Sequence, residues 1–140
     1  MNSTFHKAQK AMQKHAIFIA ANEGINLDYD VKSMANVDAV LVRIAAEVKD
    51  NGLITYIQIA NNESVNGIAE CFGSYIAECA ERKLGKGLWM NNDPKTNEQT
   101  YALKLANGNT IFPMEWVYKK IFDPINYSID DTYRLYTIID

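Results

Sequence analysis

The stretch from Glu63 to Leu84, ESVNGIAECFGSYIAECAERKL, restricts the fold more than any other part of the chain. Drawn as a helix at about 100° per residue, it sorts its residues into two faces. Val65, Ile68, Phe72, Ile76 and Cys79 fall on one side. Glu63, Glu70, Glu78 and Glu81 fall on the other, with the small residues Gly67 and Ser74 between them. The apolar side requires cover from the rest of the chain. The acidic side needs only water, or a basic partner.

The flanking segments can supply that cover. Phe5, Ala8, Met12, Ala16 and Ile19 mark an amphipathic helix from Thr4 to Ala21, and Gly24 stands where a C-cap glycine belongs. Lysines ahead of Ala16-Ile-Phe-Ile-Ala-Ala21 superficially suggest a signal peptide, but the apolar run is short and ends in Asn-Glu-Gly, so it reads as helix. A second helix is expected from Val37 to Asp50, with Asn36 as N-cap, Asp38 in the first turn and Val37, Val40, Leu41, Ile44 and Val48 buried. Leu53–Ala60 reads as a short helix from its position between two others, although its β-branched content also fits a strand. Beyond Gly85 and Gly87 a β region follows: Leu88–Met90, then Thr100–Leu105, a tight turn at Asn107-Gly108, and Thr110–Phe112. Pro113 ends the last strand and suits the first turn of a helix reaching Phe122, which buries Met114, Val117, Tyr118 and Ile121. Ser128-Ile-Asp-Asp131 has capping-box spacing and opens a closing helix to Ile138, with a strand as the alternative.

These elements predict an α+β fold: several helices packed around a small antiparallel sheet of about three strands, with the Glu63–Leu84 helix central. At 140 residues a single domain, 1–140, is the simplest organisation. Folding at this size buries roughly 70% of the extended chain's surface, enough for a core without crosslinks. Hydrophobic content of 48% against 22% charged residues argues against disorder.

Candidate chemistry is sparse. Cys71 and Cys79 share one helix with their Cα atoms roughly 12 Å apart, too far for a disulfide, which points to a reduced, cytoplasmic protein. Cys79 projects to the apolar face and Cys71 to its flank, and neither has an obvious base beside it. His6 and His15 face opposite sides of the first helix, no Cys-x-x-Cys pair occurs, and Asp28-Tyr-Asp30 is too short for a calcium loop, so no metal or cofactor is expected. No serine elbow or phosphate-binding glycine loop stands out, no segment is long enough to span a membrane, and the expectation is a protein without enzymatic activity. A net charge of −3 disfavours direct nucleic-acid binding and is compatible with a basic protein partner.

Two features suggest such a partner site. The stripe Glu63, Glu70, Glu78, Glu81 would steer a cationic surface, although a plain solvated face would look the same. Trp116, drawn opposite Met114, Tyr118 and Ile121 and beside Lys119 and Lys120, is either an outward interface anchor or buried against a neighbouring helix. Lys7, Lys10 and Lys14 form a one-signed patch that reads as a solvated helix face, and Trp89 reads as core.

The run Phe72-Gly-Ser-Tyr-Ile-Ala-Glu78 with Leu84-Gly85 and Leu88-Trp89, then Leu103-Lys-Leu-Ala-Asn-Gly108, Ile111-Phe-Pro113 and Val117-Tyr-Lys-Lys-Ile121, resembles a family of small bacterial domains of unknown function. Members carry a Gly-x-Tyr-x-Gly-Glu helix, a Gly-Gly-x-Trp strand, a glycine turn and Phe-Pro. Leu27–Ser33 and Val37–Leu41 fit the segment upstream, so the resemblance covers Leu27 to Tyr136. Ala77 replaces the second helix glycine and Lys86 splits the glycine pair. The resemblance implies an immunity protein of the kind carried beside polymorphic or contact-dependent toxins. It would bind and neutralise a cognate toxin, such as a nuclease, by blocking its active or substrate-binding surface. The competing expectation is a non-catalytic small-ligand-binding or regulatory domain with a pocket between sheet and helices, lined by Trp89 or Tyr101.

Overall fold

The computed structural model describes residues 3–30, 32–51, 65–92 and 99–138. In chain order these form helices α1 (Ser3–Asn22), α2 (Ser33–Asn51) and α3 (Val65–Leu84), strands β1 (Leu88–Asn92), β2 (Gln99–Lys104) and β3 (Thr110–Ile111), and helices α4 (Pro113–Phe122) and α5 (Ile129–Tyr136). The expected α+β architecture of helices around a small antiparallel sheet is what forms. Leu53–Ala60 and Glu63 lie outside the described residues.

Helix α3 is central, but it is not two-faced. Twelve of its 20 residues are buried, Ser74 among them, although it was drawn between the glutamates. Helix α1 crosses there, and the Ser74 hydroxyl donates to Met12 Sδ at 3.6 Å. On another side α4 approaches so closely that a Cβ on Gly73 would sit 2.7 Å from Met114 Cγ. Part of the side expected to meet water or a basic partner is therefore covered by α1. Small residues on that side let a helix lie against it.

Helix α1 ends as expected. Gly24, at φ +74°, donates to Ala21 O and Ile25 donates to Ala20 O, both at 2.9 Å, so the left-handed glycine closes the last turn. The five stripe residues of α2 are all buried. Its start differs from the expectation: Asp30 Oδ1 accepts from the Lys32 N–H at 2.9 Å and from the Ser33 hydroxyl at 3.4 Å, and the helix begins there. Asn36 is inside the helix, with its side chain donating to Asn26 O at 3.1 Å. An earlier carboxylate made the cap because it reaches the turn amides first.

The sheet order is β1-β2-β3, all antiparallel, with Trp89 opposite Leu103 and Leu103 opposite Ile111. Gly87 leads into β1 over the Lys104 carbonyl, and a Cβ there would sit 2.9 Å from Leu103 Cδ1, so the space is closed to any side chain. The β2–β3 turn is longer than a two-residue hairpin. Gly108 donates to Leu105 O at 2.9 Å, Leu105 donates to Asn109 O at 2.7 Å, and only Gly108 is left-handed, at φ +94°. That is a type I turn closed by a glycine bulge. Asn107 is thereby free to donate to Tyr136 O and Ile138 O at 2.9 and 3.0 Å, tying the hairpin to the end of α5.

Helix α4 starts at Pro113 as predicted, but neither Trp116 nor Lys120 faces water; they are 5% and 6% exposed. Trp116 packs on Tyr136, with ring centroids 5.7 Å apart. The outward alternative for Trp116 is corrected because α5 covers that side. The Lys120 ammonium donates to Pro124 O at 2.8 Å and Tyr127 O at 2.7 Å, and lies 3.7 Å from Asp38 Oδ1. Asp38 in turn accepts the N–H groups of Ile129 and Asp130 at 2.9 and 3.0 Å. It caps α5 from another helix, beside the local cap that Ser128 Oγ provides to Asp131 N–H at 3.1 Å. The closing segment is thus a helix, as its capping spacing indicated.

Removing the Asp38 carboxylate leaves two helix amides and a buried ammonium short of an acceptor. Asp38→Ala is expected to lower the unfolding free energy by about 2–4 kcal/mol. Ser128→Ala, at an exposed local cap, should cost about 1 kcal/mol. Urea denaturation of both variants checks the order, and an Asp38 effect no larger than that of Ser128 would show that the interhelix cap contributes little.

Candidate functional site

Of the four glutamates anticipated as one docking stripe, Glu70, Glu78 and Glu81 are described, and they border different recesses. Glu78 is bound to Arg82 Nε at 2.9 Å. Glu81 accepts the Gly87 N–H at 2.9 Å and so stitches the end of α3 to the approach of β1. Both border a recess of about 430 Å³ closed on its far side by Gln9 and Gln13 of α1, with Trp89 at its floor. Of the described three, Glu70 alone is exposed, and it belongs to a different surface.

That surface is a groove of about 410 Å³ where the first half of α3 meets β2 and α4. Its walls are Tyr101, Phe112, Met114 and Tyr118, and Glu70 and Glu115 stand on its rim. Phe112 is 40% exposed, held at the groove because Pro113 turns the chain from strand into helix immediately after it. The Tyr118 hydroxyl donates to Asn66 Oδ1 and fixes the α4 wall against α3. Glu115 pairs with Lys119 at 3.5 Å, both more than half exposed, an attachment too weak to withhold it from a partner. Tyr101, anticipated as a pocket residue, does line a recess between sheet and helices, but an open one.

A cleft of about 650 Å³, no less open than the groove, lies at the opposite end of α3, between the start of α2, the last turns of α3 and α5. Nothing in the chain's periodicity pointed to it. Tyr29 organises it and holds φ at +63°, a left-handed conformation that costs a tyrosine of order 1 kcal/mol or more. Three contacts hold it there. Its N–H donates to the Tyr75 hydroxyl at 2.8 Å, its own hydroxyl donates to Gln13 Oε1 at 3.1 Å, and its ring stacks on Tyr75 at 4.8 Å. The Arg82 guanidinium covers the other ring face, 3.6 Å from the centroid. Tyr75 completes the network by donating to Ser33 Oγ at 2.9 Å. Burial pushes the Tyr29, Tyr75 and Tyr133 phenols above their ordinary range, so all three remain neutral donors.

Cys79 borders this cleft but is itself buried, and burial raises its thiol to about 12. A thiol so poised stays protonated and is a poor nucleophile. Among the described residues no group of three His, Cys, Asp or Glu side chains converges as a metal site would require, and no helix is long and apolar enough to cross a membrane. Comparison of the chain with protein-family models, characterised proteins and solved structures finds no match. The chemistry of its surfaces therefore has to be read from their geometry.

Both cysteines should resist an aromatic disulfide reagent at pH 8 in the folded protein and react within seconds once urea unfolds it. Stoichiometric labelling of native Cys79 on the unfolded timescale would contradict the inert, protonated thiol described above.

Proposed function

We propose that this protein is a cytoplasmic immunity protein that neutralises a cognate bacterial toxin, such as a nuclease, by covering its active or substrate-binding surface. The observation that carries the reading is the groove between α3, β2 and α4, where an exposed phenylalanine and half-buried tyrosines are rimmed by Glu70 and Glu115. Aromatic side chains in a recess supply contact area at low entropic cost, and the carboxylates favour a partner that presents lysine or arginine. The net charge of −3 works in the same direction at long range. The resemblance to small immunity-like domains supports the choice of a toxin as that partner. Glu78 and Glu81, occupied within the fold, are not assigned to the contact surface.

Co-expression with the toxic C-terminal domain of a large secreted protein, sought in the gene immediately upstream, tests the role. Wild-type protein should restore growth and co-elute with that domain, and failure of both would end the immunity reading. Glu70→Lys combined with Glu115→Lys should weaken the complex at least tenfold and flatten its salt dependence. The unfolding midpoint should hardly move, because exposed helix charges contribute only tenths of a kcal/mol. Rescue with unchanged affinity in the double variant would keep the role but place the interface elsewhere.

A further inference from the structure

The 650 Å³ cleft is independent of that groove and carries the opposite charge. Lys32, Arg82, Lys83 and Arg134 converge on it from three elements, against the carboxylates of Asp30 and Asp130. Four of the chain's 14 basic residues thus share one recess against two acids in its lining, and one of the four, Arg82, is also paired with Glu78, in a protein whose net charge is −3. Both acids are already engaged. Asp30 accepts from the turn that opens α2, and Asp130 is bound to Arg134 Nε at 3.1 Å.

The cations retain donors. Arg82 uses Nε on Glu78 and its face on the Tyr29 ring, which leaves the terminal guanidinium N–H groups unspent by either contact. Lys83 donates once, to Thr137 Oγ1 at 3.1 Å, of three possible bonds. Arg82 is positioned in advance by the left-handed Tyr29 beneath it, so little ordering remains to be done on binding. Beside them, buried Met34 and the half-buried Tyr133 ring, with exposed Ala35, make an apolar wall. The volume lies within the range of small-molecule sites.

We infer that this cleft binds a small organic anion, its phosphate or carboxylate head held by Lys32, Arg82 and Lys83 and its apolar body lying against Tyr133 and Met34. A bare inorganic anion would leave the apolar wall unused, and a neutral apolar compound would leave the cations unused. The shared chemistry admits two sources, a nucleoside monophosphate and a hydrophobic carboxylate.

Calorimetric titration of the full chain with adenosine monophosphate, octanoate and inorganic phosphate, at low and at moderate salt, tests this. Expected is saturable one-to-one binding of at least one organic anion, weaker at the higher salt and at least tenfold tighter than inorganic phosphate. Which of the two binds identifies the source. Arg82→Gln with Lys83→Gln should weaken it at least tenfold. Lys32→Gln, an exposed side chain that takes no part in the Tyr29 stack, should weaken it several-fold and serves where the double variant fails to fold. No saturable binding of either organic anion, equal binding of inorganic phosphate, or affinity untouched by Lys32→Gln would each overturn the assignment.

Discussion

Close approach of helices α1 and α4 to α3 is the constraint on which the rest of the molecule depends. Interior packing is as dense as in organic crystals, so a helix flanked on several sides must have small residues wherever neighbours cross it. Gly73 meets the backbone of α4 at Met114, and Ser74 lies under Met12 of α1. A larger side chain at Gly73 would push α4 outward. Phe112 and the Tyr118–Asn66 contact at the groove, and Trp116 with its α5 cover, would be displaced along with it. The two recesses that carry the functional readings therefore inherit their shape from packing at residues that touch no ligand. The residues of the resemblance are largely of this kind: Gly73 and Tyr75 in α3, Gly87 before β1 and Pro113 at the head of α4 each solve a steric or hydrogen-bonding problem.

A second constraint joins the helices where apolar packing does not. Asp38 in α2, Lys120 in α4 and the first amides of α5 form one buried junction. Burial of an ammonium is tolerable there because it donates to two carbonyls and lies 3.7 Å from a carboxylate of opposite charge. The geometry also sets the direction in which α5 leaves the α4–α5 turn. From that direction follow the position of Tyr136 on Trp116 and of Tyr133 and Arg134 at the cleft. The hairpin asparagines hold the other end of the same helix, so a helix of only eight residues is fixed at both termini.

Local signals in the sequence were sufficient for most elements and insufficient for most surfaces. Helix periods, Gly24, Pro113 and the Ser128 cap act within a few residues, and each of them specified an element that formed. The placements that failed depend on distant partners. Asp38 looked like a helix-start acid of its own helix, and its real partners lie 91 and 92 residues away. For Trp116 the sequence allowed both an outward and a buried position, because α5, which covers it, cannot be positioned from α4 alone. One overlooked signal was present. Gly67 and Ser74 among the glutamates, with Ala77 beside them, make that face of α3 a place for a crossing helix as much as for solvent. The left-handed Tyr29 had no signal, since the contacts that hold it are made by Gln13, Tyr75 and Arg82 from two other helices.

Helix α3 also sets the relation between the two recesses. Glu70 on the groove and Arg82 at the cleft are twelve residues apart, about 18 Å along the axis. That is roughly twice the screening length at physiological salt, so charge at one recess is scarcely felt at the other. Any communication between them has to be mechanical, through displacement of α3 against its neighbours. The same close contacts that shape the recesses oppose such a shift. Sliding α3 would drive Gly73 against Met114 and break the Tyr75 bonds to Tyr29 and Ser33 together. A protein built this way favours two separate surfaces with opposite charge preferences over one switch with two ends.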